Sequence, residues 1–395
     1  MLKLRPFQLE ALQALQNRNH PQNHVLCVAP TGSGKSLIFE RAAASPQRRT
    51  LLVTPLVALA RQQWNRLKDL GISPALGAGG AAEVPNSKSG AWIVSPETLT
   101  TPTKRAHLLT WKPNLLVVDE CHCLWEWGES FRPAFSLLPP LLKEFSIFHS
   151  LWLTATLPLR ARQELRKVLP DSLREVGGFD LPSRLILEIQ KVSWKDRAEY
   201  LLQWLSKKDG MGIIFVPTRE ATFRLSRLVV ASGRTAVSYH GGMSSEEKRN
   251  IEALIQKGIP DLIIATSAFG MGMDYSFLHH VVLWQVPTSL LSLVQMIGRV
   301  GRSESRDGNA LVLWDHEDFR LIEWSVGSSS KRREELLDLL EFLNTDQCRR
   351  SLLKQYFDGV PDSRPCDRCD SCIRMRQLRG AIVDGPKRAT LNIIS

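Results

Sequence analysis

No apolar run in this chain approaches the roughly 20 residues that a helix needs to cross a bilayer, so a helical membrane span is excluded from the expectation. The start, Met1-Leu2-Lys3-Leu4-Arg5-Pro6, lacks the apolar core of a signal peptide. An intracellular protein is therefore expected, in the bacterial cytoplasm or nucleoid. Cysteine is scarce, with seven in 395 residues, which argues against a disulfide scaffold. There is no internal repeat or low-complexity tract, so a repeat array is not the plan. Acidic residues are also in deficit: 40 Asp and Glu face 51 Lys and Arg, for a net charge of +11 and a pI near 9.5. That balance favours a polyanionic partner through counterion release, with a generally basic surface as the plainer explanation. What remains, 43% hydrophobic and 23% charged residues, is the composition of a globular protein with room for two or three domains.

Residues 1–178 read as alternating apolar strands and helices. The strand candidates are Val25 to Val28, Thr50 to Val53, Trp92 to Val94, Leu115 to Val118 and Ser150 to Leu153, with helical patterns at Ser36 to Ala44 and Leu56 to Leu70. Such alternation predicts an α/β parallel sheet covered by helices, with ligands bound beyond the carboxyl ends of the strands. Val176-Gly177-Gly178-Phe179-Asp180-Leu181-Pro182 has the punctuation of an interdomain linker. A second series follows within 179–315, at Gly212 to Val216, Thr235 to Tyr239, Leu262 to Ala265, His280 to Trp284 and Ala310 to Leu313. Two lobes of one class imply a cleft between them. From His316 the pattern turns helical through 316–375, with Lys331 to Leu343 amphipathic behind a Ser328-Ser329-Ser330 cap. The stretch 376–395 reads as a basic, poorly ordered tail, given Gly380 and Pro386.

Ala29-Pro30-Thr31-Gly32-Ser33-Gly34-Lys35-Ser36 leaves an apolar strand and opens a helix. Gly32 and Gly34 let backbone N–H groups turn toward phosphate oxygens, and the helix adds its positive end. Lys35 would reach the β and γ phosphates, and Ser36 would bind Mg²⁺. Ala29 stands where the strict phosphate-loop pattern has glycine, so an ordinary Gly-Ser turn is the alternative. The second strand-tip motif weakens that alternative: Leu115 to Val118 ends in Asp119-Glu120, where one carboxylate would hold the metal's hydration shell and the other would polarise the attacking water.

Further along, Gln295-Met296-Ile297-Gly298-Arg299-Val300-Gly301-Arg302 places two arginines on one face of a helix opening, with glycines that permit close approach to a partner surface. A guanidinium delivered across a cleft would stabilise charge on a γ-phosphate in the transition state; a surface arginine pair is the alternative. Trp127-Gly128-Glu129-Ser130-Phe131-Arg132-Pro133 offers rings for base stacking and an arginine for phosphate, against a reading of the rings as core. Cys348, Cys366, Cys369 and Cys372 supply four thiolates in one segment, suited to a tetrahedral Zn²⁺; a redox pair or an iron–sulfur cluster also uses such residues. Cys27, Cys121 and Cys123 read as buried or semi-buried thiols without a role.

In this order the motifs resemble a superfamily 2 helicase and, within it, the RecQ family, over nearly the whole chain from Leu4 to Cys372. The resemblance implies two tandem RecA-like parallel-sheet lobes followed by a small helical zinc-binding subdomain. It makes Arg5-Pro6-Phe7-Gln8 the adenine-reading segment, so that Gln8 and Arg5 join Thr31, Gly32, Ser33, Gly34, Lys35 and Ser36 around ATP. Thr54-Pro55-Leu56 and Ser95-Pro96-Glu97-Thr98-Leu99 resemble DNA-backbone segments. Asp119-Glu120-Cys121-His122 stands at the family's Asp-Glu-Ala-His, Thr154-Ala155-Thr156 at its coupling motif, and Thr266 lies in its fifth motif, which runs from Ile264 to Asp274. Arg299 and Arg302 occupy the sixth motif, Trp127, Phe131 and Arg132 the aromatic loop, and the four cysteines the structural zinc site. The implied activity is ATP-dependent 3′ to 5′ unwinding of DNA, with ATP, Mg²⁺ and Zn²⁺ as cofactors and single-stranded, forked or 3′-tailed DNA as partner.

Typical members continue into a winged-helix module, and the residues from Ile373 to Ser395 are too few to encode one. Alternatives are therefore a DNA-stimulated ATPase, translocase or annealing factor, and a zinc-stabilised DNA-binding scaffold with a vestigial motor.

Overall fold

The computed structural model describes residues 3–17, 22–79, 81, 83–86, 89–127, 137–169, 173–269, 277–303, 305–326 and 330–383. Its strands, in chain order, are β1 (Asn23–Val28), β2 (Arg49–Val53), β3 (Pro74–Gly77), β4 (Gly90–Val94), β5 (Leu115–Val118), β6 (His149–Thr154), β7 (Leu173–Gly177), β8 (Leu185–Lys191), β9 (Gly212–Phe215), β10 (Ala236–Tyr239), β11 (Leu262–Ala265), β12 (His280–Leu283) and β13 (Gly308–Trp314).

The chain divides into two compact units near Asp180–Leu181. The first holds a seven-stranded sheet in the order β3-β4-β2-β5-β6-β1-β7, and the second a six-stranded sheet in the order β10-β11-β9-β12-β13-β8. Every pairing in both sheets is parallel.

The central strands of the first sheet, β4, β2, β5, β6 and β1, are buried on both faces, and they are largely apolar runs for that reason. Leu26, Val28, Leu51, Val53, Leu116, Val118, Trp92 and Trp152 pack on one face. Their chain neighbours Val25, Cys27, Leu52, Leu115, Val117, Leu151 and Leu153 pack on the other, against Ile38 and Phe39 of helix Ser36–Ala43. In the second unit Ile214, Ile264, Val282, Leu311 and Leu313 form a comparable layer under Leu201, Trp204 and Leu225.

Three strands exceed the sequence expectation. β3 and β7 are the edges of the first sheet and β8 is an edge of the second. β7 absorbs Val176-Gly177 from the segment read as a linker. β8 alternates buried and half-buried residues, as a strand with one face against the core does. The supposed tail is also corrected at its start, because Asp370–Val383 is helical. Ile373-Arg374-Met375-Arg376-Gln377-Leu378-Arg379 is rich in helix formers, and a single Gly380 costs a helix only about 1 kcal/mol. No described helix is long and apolar enough to cross a membrane.

Candidate nucleotide site and metal centre

The order β5-β6-β1 brings three motif-bearing strand ends side by side. The loop after β1 runs through Gly32 at φ 76° and Gly34 at φ 85°, left-handed values that glycine adopts without strain. A Cβ on Gly34 would also stand 2.8 Å from Gln8 Nε2. Gln8 is buried, donates to the carbonyls of Gly34 (2.8 Å) and Ser33 (3.4 Å), and accepts from the Arg5 N–H at 2.8 Å. The N-terminal segment is thus latched to the loop. Lys35 Nζ donates to the carbonyls of Ala29 (2.8 Å) and Pro30 (3.1 Å), which holds the ammonium across the loop. The Ser33 hydroxyl is buried without a hydrogen-bond partner, while Thr31, Gly32, Gly34 and Ser36 are exposed. An orphaned donor inside a glycine cradle at a helix N-terminus fits a phosphate group.

At the tip of β5, Glu120 has φ 52°, a left-handed value that a non-glycine residue adopts at a cost of order 1 kcal/mol. The reversal lets the Glu120 N–H donate to Asp119 Oδ1 at 3.0 Å, while Gln63 Nε2 donates to Asp119 Oδ2 at 2.6 Å. Burial, followed by the neighbouring Glu120 charge, pushes the Asp119 carboxyl up to about 6, against the pull of Lys35 and the two hydrogen bonds. A cation beside it would favour the ionised form.

Glu120 is tied in turn to β6. His122 Nδ1 lies 3.2 Å from Glu120 Oε2 and 3.1 Å from Thr154 Oγ1. The Thr154 hydroxyl spends its proton on the Thr156 carbonyl (2.9 Å) and accepts the Thr156 N–H (3.2 Å), so toward His122 it acts as acceptor and Nδ1 carries the hydrogen. Burial opposes a charge on His122, and Cys123 with Glu120 reverses that effect, so its pKa lies above the ordinary value. Carboxylate, imidazole and threonine hydroxyl form one buried connection between the strand tips.

Other expected residues fall as follows. Ser95 follows β4, its hydroxyl 3.2 Å from Thr98 Oγ1, which donates to the Gly77 carbonyl. Thr266 follows β11, with its N–H bonded to the Tyr239 carbonyl. Arg299 and Arg302 come after the end of helix Leu290–Ile297, not at a helix opening, and Arg302 Nε donates back to the Gly298 carbonyl at 2.9 Å. Gly301 serves an internal approach: a Cβ there would meet the backbone of Leu185 at 2.8 Å. Phe131 and Arg132 lie outside the described residues, as does the side chain of Trp127, whose backbone ends helix Cys123–Trp127. Cys27, Cys121 and Cys123 are buried. Gln63 was not anticipated; its signal was a polar residue on the same helix face as Leu59, Ala60 and Leu67.

In the second unit the sulfurs of Cys348, Cys366, Cys369 and Cys372 all lie within 4.8 Å of one another, with Cys366 and Cys372 at 3.9 Å. A tetrahedron with metal–sulfur bonds of about 2.3 Å places its sulfurs about 3.8 Å apart. The four therefore suit one ion; a cluster would spread its thiolates over separate irons. Hydrogen bonds from Cys366 and Cys369 pull the Cys348 thiol far down, while Cys366 rises to about 11 and Cys369 rises further. Only a cation lets all four ionise together.

The knuckle is anchored by the residues around it. Arg349 makes a two-pronged ion pair with Asp370, at 3.2 and 3.0 Å. Arg350 donates to the carbonyls of Leu181, Pro182 and Leu185. Leu187 of β8 donates its N–H to the Arg368 carbonyl and bridges to Cys369.

Comparison with known proteins agrees with this geometry. Three family descriptions match in succession: DEAD/DEAH box helicase over residues 5–165, helicase conserved C-terminal domain over 196–304, and RecQ zinc-binding over 316–373. The chain is 28% identical over 380 residues to the ATP-dependent DNA helicase RecQ of Pasteurella multocida, covering 92% of this chain and 59% of that protein. It is 28% identical over 400 residues to the ATP-dependent DNA helicase Q1 of Mus musculus, covering 94% and 60%. It thus spans about three-fifths of the length of these relatives. In fold it is similar to S. cerevisiae Dbp5 bound to RNA and ADP BeF3, with a TM-score of 0.63 and 19% identity over 87% of this chain and 94% of that one. It is also similar to Mycobacterium smegmatis helicase Lhr bound to ssDNA and AMP-PNP, with a TM-score of 0.59 and 21% identity over 80% and 46%. Both sheets are accordingly RecA-like.

Proposed function

This chain belongs to the RecQ family of helicases, and from that membership we propose that it is an ATP-dependent DNA helicase that moves 3′ to 5′ along one strand and separates the duplex ahead of it. The observation that carries the reading is the junction at the ends of β1, β6 and β5, where His122 joins Glu120 to Thr154. A bound ATP with Mg²⁺ supplies the γ-phosphoryl group and neutralises its charge. The residues that would hold it are Thr31 to Lys35 around the phosphates, Ser36 and Asp119 at the cation, and Gln8 with Arg5 at the base.

Glu120 takes the proton of the attacking water, in an orientation fixed by His122. Lys35 stabilises the developing phosphate charge, a role the RecQ resemblance also implies for Arg299 and Arg302. Thr154 and Thr156 couple this carboxylate to the strand ends that carry the DNA-contacting segments, so that occupancy by DNA governs hydrolysis. Ser95, Thr266, Trp127, Phe131 and Arg132 serve the single strand, the last three by stacking and phosphate contact. The four cysteines hold a structural Zn²⁺ that fixes the knuckle against β8. Single-stranded, forked and 3′-tailed DNA are the substrates in this reading, and the bacterial cytoplasm or nucleoid is the setting.

Displacement from paired substrates tests it. A duplex with a 3′ tail should lose its strand in the presence of ATP, and a blunt or 5′-tailed duplex should not. ATP-driven displacement of the 5′-tailed duplex alone would overturn the polarity, and displacement of neither would overturn the helicase reading.

A further inference from the structure

Gln63 is a buried polar residue bonded directly to Asp119 that no motif accounts for. It lies on helix Val57–Asp69, which begins directly after Thr54-Pro55-Leu56 at the end of β2. The other buried residues of that helix, Leu59, Ala60 and Leu67, are apolar. Gln63 is only 7% exposed, and its Nε2 donates to Asp119 Oδ2 at 2.6 Å. The second carboxylate oxygen, Oδ1, accepts the Glu120 N–H at 3.0 Å. Each oxygen is therefore held by one donor and retains a lone pair. Gln63 Oε1 is buried and has no hydrogen-bond partner among the described residues, an expensive condition for an amide oxygen. One end of the amide is committed to Asp119 and the other awaits a donor.

We propose that Gln63 is the positioning residue of Asp119: it holds the carboxylate in one orientation toward a hydrated divalent cation, and its free Oε1 accepts from a water of that cation's shell. This rests on the reading of Asp119 as the metal-holding carboxylate. The partner of a ligating carboxylate fixes its direction and basicity, and removing such a partner weakens metal affinity without touching the metal itself. A glutamine serving only to satisfy a buried carboxylate would influence folding stability and leave the cation requirement where it was.

The test separates these roles by following the binding of a fluorescent, non-hydrolysable ATP analogue to the full chain as Mg²⁺ is titrated, with thermal melting in parallel. Gln63→Leu, which keeps volume and removes both amide groups, should raise the Mg²⁺ concentration at half-maximal binding by about 10-fold or more. Binding in the presence of EDTA should be unchanged. Gln63→Asn, which keeps the amide and shortens its reach, should shift the midpoint in the same direction and serves if the leucine variant does not fold. A midpoint equal to the parent's in both folded variants, whatever their melting temperatures, would overturn the inference. Asp119→Asn is the control. If it shifts the midpoint and the Gln63 variants do not, the inference alone fails; if it too leaves the midpoint unmoved, the reading of Asp119 fails with it.

Discussion

Thr154→Val is the most informative single perturbation of the strand-tip connection, because valine keeps the shape of threonine and deletes only the hydroxyl. Three interactions meet at that oxygen: 2.9 Å to the Thr156 carbonyl, 3.2 Å from the Thr156 N–H and 3.1 Å to His122 Nδ1. All lie in a buried site, where an abandoned donor or acceptor costs about 1–3 kcal/mol. Because the three share one atom their losses do not add, and a total of about 2–4 kcal/mol follows for the first unit. For a unit of this size, each kcal/mol lowers the melting point by about 2–4 °C, so a drop of roughly 5–15 °C is expected. The chemical effect is separate. With one acceptor gone, Nδ1 of the imidazole is held by Glu120 alone, Nε2 keeps its 3.6 Å contact with Cys123 Sγ, and the carboxylate loses part of its fixed orientation. A loss of about 1.4 kcal/mol of positioning would slow turnover tenfold. Thr154→Ser, which restores the hydroxyl, should recover both. The assays are thermal melting and DNA-stimulated ATP turnover. If Thr154→Val melts with the parent and hydrolyses ATP at the parent's rate in saturating single-stranded DNA, the connection is not part of the engine.

Glu120→Gln should lower turnover by a factor of about 10² or more, the range for loss of a general base, while ATP and DNA binding, measured by fluorescence, are retained. Metal analysis should find about one zinc per chain, and iron with visible absorbance would reverse that assignment; chelation should lower the melting temperature of the second unit. Stability should also fall in mild acid through His280, which is 1% exposed and whose pKa is lowered from 6.5 to about 4, by burial first and then by Arg234. A histidine neutral in the folded state contributes fully above pH 6.5 and loses that contribution as pH falls toward 4, by as much as ~3 kcal/mol. Urea denaturation of the parent and of His280→Asn at both ends of that window should show a smaller acid loss in the variant.

The central strands were legible because a parallel strand covered on both faces has no reason to be polar, and Leu115-Leu116-Val117-Val118 advertises that burial directly. β3, β7 and β8 were missed for the complementary reason. As edges they carry Pro74, Arg174, Glu175 and Glu188, residues that periodicity alone assigns to loops or surface. The placement of the motif residues at strand ends was legible, since Ala29 to Ser36 and Asp119-Glu120 each follow an apolar run directly. Relations between distant residues were not. The Gln63–Asp119 bond spans 56 positions, and the fully buried Arg197–Asp318 ion pair spans 121. Nothing in either local sequence names its partner. The left-handed Glu120 is equally silent, because its conformation is imposed by the bonds around it.

The measurement that bears most directly on the whole account is the rate of ATP hydrolysis with and without single-stranded DNA, at saturating ATP and Mg²⁺. If His122, Thr154 and Thr156 join the hydrolytic carboxylate to the DNA-contacting strand ends, single strand should raise turnover severalfold, and the Thr154→Val chain should lose that increment before it loses its basal rate. Hydrolysis by the parent that is indifferent to DNA would contradict the account.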